Sequence, residues 1–73
     1  MMDVGDRVFL KSTSKWFAGG GNNPSSEDTI GTITRIRDMT FPIRVEWDGM
    51  GENVYREEDL KLVSGESYED AEI

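Results

Sequence analysis

The stretch from Ile43 to Val63, IRVEWDGMGENVYREEDLKLV, decides the fold. Ile43, Val45 and Trp47 alternate with Arg44 and Glu46, so an extended chain there shows one apolar face and one face of opposite charges. Asp48-Gly49-Met50-Gly51 follows, a run of turn residues that tolerates positive φ, and Glu52 to Arg56 returns as the partner strand of a β-hairpin. Glu57-Glu58-Asp59 suits a single helical or 3₁₀ turn, because acidic side chains favour a helix start. Leu60 to Val63 then supplies a last short strand.

Upstream of the hairpin the same reading adds two strands. Gly5-Asp6 is a turn, and Arg7 to Lys11 is a short aromatic and β-branched run. Ile30, Ile33 and Ile36 are spaced as in a helix, but Gly31, Thr32 and Thr34 favour a strand, with a bulge between Ile33 and Ile36 that returns both to the core face. The connection at Phe41-Pro42 is short, since proline cannot donate to a central ladder and restricts the residue before it. From Ser12 to Thr29 the chain reads STSKWFAGGGNNPSSEDT, a long loop rich in Gly, Asn and Ser. Five short strands must curl to cover an apolar face, so the expected fold is all-β: a small five-stranded SH3-like barrel over residues 1–63, with a long first loop and a one-turn 3₁₀ helix before the last strand. An OB-type barrel is the competing layout. Residues 64–73, polar and acidic around Tyr68, are expected to be a disordered tail.

Composition narrows the function. At 73 residues the chain is one small domain. It has no Cys and no His, which removes disulfides, thiolate metal sites, the commonest general base and the commonest transition-metal ligand. A non-enzymatic protein without cofactor or metal is therefore expected, and in the absence of disulfides the cytoplasm is the default location. No apolar run reaches the ~20 residues that span a bilayer, and no signal segment is visible at the N-terminus. The net charge is −7; Glu66, Glu69, Asp70 and Glu72 contribute −4 of it, leaving 11 acids against 8 bases in residues 1–63. A negative chain is repelled by phosphate, so nucleic acid is disfavoured as a partner.

Three motifs invite chemistry and fail on spacing. Gly19 to Ser26 lacks the Lys-Ser/Thr ending and the preceding strand of a phosphate loop. Glu57-Glu58-Asp59 lacks the alternating ligands and central Gly of a calcium loop and reads as a solvated acidic turn. Ser14 with Lys15, or Ser12 with Lys11, would point to opposite sides of an extended segment, so neither is a nucleophile and base.

Val4-Gly5-Asp6-Arg7-Val8, Lys15-Trp16 in a Gly-rich loop, Gly31-Thr32-Ile33, Val45-Glu46-Trp47-Asp48-Gly49, Tyr55 and Asp59-Leu60, in that order, resemble the Mind-bomb/Herc-type domain of certain ubiquitin ligases, here as a free-standing domain. The same short elements occur in Tudor-like and KOW-type barrels, and the resemblance spans residues 4–63. It implies an SH3-like fold that binds a peptide or protein and catalyses nothing. A free-standing domain of this size also fits a small bacterial or phage protein.

The expected partner-binding set is Trp16, Phe17, Phe41 and Tyr55. Two adjacent large aromatics in a loop cannot easily both face inward, so one of Trp16 and Phe17 is expected at the surface as an anchor. Gly19-Gly20-Gly21 and Asn22-Asn23 have no propensity to fix the loop, which is expected to be mobile until a partner orders it. Trp47 is expected in the core, and Tyr55 with its ring packed and its hydroxyl near the surface. A monomer that receives a peptide between the first loop and Phe41-Pro42 is one reading. The other is a small acidic inhibitor or nucleic-acid mimic, possible for a phage-encoded protein, offering carboxylates to a basic site. Aromatic anchoring survives moderate salt, whereas carboxylate-led binding weakens steeply.

Overall fold

Alternation of apolar and polar residues, clearest over Ile43–Trp47, accompanies five strands in the computed structural model, which describes residues 2–63: β1 (Arg7–Leu10), β2 (Ile30–Ile36), β3 (Ile43–Trp47), β4 (Gly51–Tyr55) and β5 (Leu60–Leu62). A 3₁₀ turn, Glu57–Asp59, precedes β5. The tail expected at 64–73 lies outside the described residues. All pairings are antiparallel, and the sheet order is β4-β3-β2-β1-β5. The chain is thus all-β, with a four-strand meander, β1 to β4, and a last strand that returns beside the first. A ring closed by backbone bonds would also pair the edges β4 and β5; among the described residues no such ladder is made.

One face of every strand supplies the core. Val8 and Leu10 from β1, Ile33 from β2, Ile43, Val45 and Trp47 from β3, Tyr55 from β4 and Leu60 from β5 form one cluster, none more than 4% exposed. A flat sheet cannot hide one face so completely, so this sheet curls around its own side chains. Trp47 fits because of Gly31, its cross-strand partner. A Cβ at Gly31 would lie 2.5 Å from Val45 Cγ1 and 2.6 Å from Trp47 Cε3, inside any tolerable contact.

The bulge in β2 falls where the isoleucine spacing placed it, between Ile33 and Arg35. It sets Ile33 opposite Val45 and Ile36 opposite Ile43. The expectation that both isoleucines reach the core is corrected: Ile33 is fully buried, but Ile36 ends its strand and stays 41% exposed. Strand β4 begins one residue earlier than the sequence suggests, at Gly51, whose φ of 121° permits the tight entry from the turn. Arg56 leaves the ladder instead, and its backbone N–H donates to Asp59 Oδ2 at 3.2 Å.

Candidate functional site: an aromatic groove beside the first loop

The loop between β1 and β2 is folded by the residues that seemed unable to fix it. Short-range backbone bonds run from Ser14 N to Lys11 O, Phe17 N to Ser14 O and Gly19 N to Trp16 O, at 3.0 to 3.1 Å. Ala18 N reaches Pro24 O at 2.8 Å, and Pro24 is fully buried. Asn22 Nδ2 donates to Glu52 O at 3.1 Å. Asn23 Oδ1 accepts from Tyr55 Oη at 2.7 Å and from Asn53 Nδ2 at 3.1 Å. The loop is therefore anchored to β4, which corrects the expectation of an unfixed segment. The same contacts blunt that edge of the sheet: Asn22 takes the Glu52 carbonyl and Asn53 Oδ1 takes the Val54 N–H at 2.9 Å.

Ser14 sets the position of Trp16. Its hydroxyl accepts from Trp16 N at 3.1 Å and donates to Asp59 Oδ1 at 3.0 Å, which links the loop to the 3₁₀ turn. With its other oxygen on Arg56 N, the Asp59 carboxylate is engaged at both ends and only 8% exposed. Trp16 then meets Phe41 from the β2–β3 connection edge to face, with ring centroids 5.8 Å apart and planes at 77°. Each ring carries a cation: Lys15 Nζ lies 5.0 Å from the Trp16 centroid, and the Arg56 guanidinium 5.3 Å from that of Phe41. Arg56 is steadied by its Nε, which donates to Thr40 O at 3.1 Å.

This pair forms a wall shared by two clefts. The larger, about 350 Å³, has Thr13, Lys15, Arg56 and Glu58 on its polar side. The smaller, about 150 Å³, is completed by Asn23, Asn53 and Val54. A third cleft of about 620 Å³ opens between β1 and the end of the loop, near Phe9, Lys11 and Asp28, but none of the aromatics singled out in the sequence lines it. We place the site at the aromatic wall because both neighbouring clefts converge there.

Of the four expected residues, the structure unites Trp16 and Phe41. Phe17 is half-buried, packs against the core cluster and lines none of these clefts. Neither member of the Trp16-Phe17 pair is fully exposed; both pack partly against the core. Tyr55 is corrected from a surface contact to a core residue, 1% exposed. Its hydroxyl accepts from Trp47 Nε1 at 2.9 Å, and the two rings sit 5.7 Å apart at 72°. Burial pushes the Tyr55 hydroxyl pKa above its ordinary value; the Trp47 hydrogen bond opposes the shift and the charge of Asp59 adds to it. Lys15, Arg56, Asn23 and Asn53 were missed as site residues. Lys15 carried a signal, being adjacent to Trp16, whereas the Asn23–Asn53 contact joins positions 30 residues apart.

Among the described residues no three acidic side chains are gathered to hold a metal ion, and no helix is long and apolar enough to cross a membrane. Comparison with protein-family models, curated proteins and solved structures finds no match to this chain.

Proposed function

We propose that this chain is a non-enzymatic module that binds a peptide or loop of another protein in the groove at Trp16 and Phe41. The observation that carries the reading is the half-buried aromatic wall, which has open clefts on both sides and is held from beneath by Ser14, Asp59 and Arg56. Anchored aromatics lose little freedom on binding and offer large contact area, the usual make-up of a binding hot spot. The resemblance to Mind-bomb/Herc-type and related small SH3-like barrels supports the same role, and a cytoplasmic monomer is the form we propose.

The acidic-inhibitor reading finds less support. On the body of the chain Asp48 pairs with Arg7 and Glu52 with Arg44, so these carboxylates are not presented as a phosphate-like array. Affinity capture from a lysate of the source organism tests the proposal, comparing wild type with Trp16→Ala and Phe41→Ala. A specific protein retained by wild type and lost by both folded variants is expected. Equal capture by all three contradicts the groove.

A further inference from the structure

The two clefts differ in chemistry, and the difference defines a ligand. Resting on the groove reading above, we propose that the bound segment carries an apolar side chain with a carboxylate close to it in sequence. The apolar side chain enters between Trp16, Phe41 and Val54, and the carboxylate lies across the wall between Lys15 and Arg56.

The small cleft comes first. At about 150 Å³ it is below the ~300–1,000 Å³ of a typical small-molecule pocket, so it accommodates a side chain and not a whole ligand. Two aromatic rings and Val54 make most of its wall apolar. Its polar members, Asn23 and Asn53, already bond to each other.

The large cleft supplies solvent-facing cationic donors. Lys15 and the terminal nitrogens of Arg56 have no hydrogen-bond acceptor among the described residues; Arg56 uses only its Nε. Across the same cleft the Asp59 carboxylate has both oxygens engaged within the fold. Glu58 stands exposed beside it; the negative charges of Glu58 and, less directly because its oxygens are bonded within the fold, Asp59 are the features that oppose an anion. A cationic partner nevertheless fits worse. Each ring already carries a cation, so an incoming ammonium or guanidinium meets like charge there and must either displace it or bind beside it. A carboxylate instead meets charged N–H donors, those of Arg56 held in place against the Phe41 ring and by the Thr40 carbonyl. The chain's net charge of −7 works against an acidic partner at long range, but beyond about 8 Å that field is screened at physiological salt. Contact chemistry then decides.

A phage-displayed library of random peptides, panned on the full chain, tests this. Wild type, Lys15→Gln/Arg56→Gln and Trp16→Ala are panned in parallel, each first shown by thermal melting to be folded. Wild type is expected to select peptides with Asp or Glu within a residue or two of an aliphatic or aromatic residue. For a selected peptide, changing that acid to its amide should weaken binding about tenfold, and the Lys15→Gln/Arg56→Gln protein should no longer distinguish the two peptides. Selected peptides that are neutral or basic, yet lost on Trp16→Ala, overturn the carboxylate assignment and leave the groove standing. Peptides that bind Trp16→Ala as well as wild type, or no selection by wild type at all, overturn both.

Discussion

Two edge-to-face aromatic pairs of nearly the same shape sit in different surroundings in this chain. Trp47 and Tyr55 stand 5.7 Å apart at 72°, and Trp16 and Phe41 stand 5.8 Å apart at 77°. The first pair joins β3 to the edge strand β4 on the core face, is 1% exposed at both residues, and has its polar atoms bonded to each other and to Asn23. The second joins a loop to a connection, is half-buried, and faces two clefts with a cation over each ring. Ring geometry therefore does not distinguish the enclosed pair from the one that opens on clefts. Enclosure and the satisfaction of polar atoms do.

The largest expected effect breaks the inner pair. Trp47→Ala should cost about 3–5 kcal/mol, close to the whole stability of a domain this size, and unfold the chain at room temperature. Circular dichroism and amide dispersion check it; a folded Trp47→Ala protein would move this pair out of the core. Gly31→Ala attacks the same ring from across the strand. With a Cβ inside the van der Waals envelope of Val45 and Trp47, it should lose about 1–3 kcal/mol in a denaturant titration.

Tyr55→Phe sharpens the comparison, because it keeps the rings and removes only the hydroxyl. Trp47 Nε1 is then left without its acceptor and Asn23 loses a donor, for a loss of about 1–3 kcal/mol. The same hydroxyl ties stability to alkaline pH. Its folded pKa is raised above its unfolded value of about 10, so the folded state holds its proton more tightly. That contribution is complete below pH ~10 and is lost as pH rises through the folded pKa. In a Tyr68→Phe background, phenolate absorbance should report Tyr55 ionising above the ordinary range and together with unfolding. Ionisation at the ordinary value in a folded chain would contradict its enclosure.

The strands were legible because their signals are local. Alternation in Ile43 to Trp47 and the Asp48-Gly49 turn specify the hairpin without reference to the rest of the chain. The bulge was legible for the same reason, since three isoleucines at helical spacing in a β-branched segment need an extra residue to share one face. Ile36 was misread because the sequence does not show where the covering layer ends. In the site, Trp16 and Phe41 could be proposed from loop context, but their contact, and the anchoring of the loop by Asn22, Asn23 and Pro24, depend on β4 lying alongside. Tyr55 was misplaced on the same account: its hydroxyl looks solvated until the loop closes over it.

The smallest expected loss of stability belongs to the outer pair, and it tests the division of labour most directly. On Trp16→Ala, with Phe41→Ala as its companion, thermal melts and calorimetric titration with a selected peptide should be run on the same samples. At least one variant is expected within about 1 kcal/mol of wild-type stability, with binding weakened by about 2 kcal/mol, the hot-spot scale. Normal binding by both variants, or unfolding of both, would contradict it: the outer pair would then be an idle surface contact or a second piece of core.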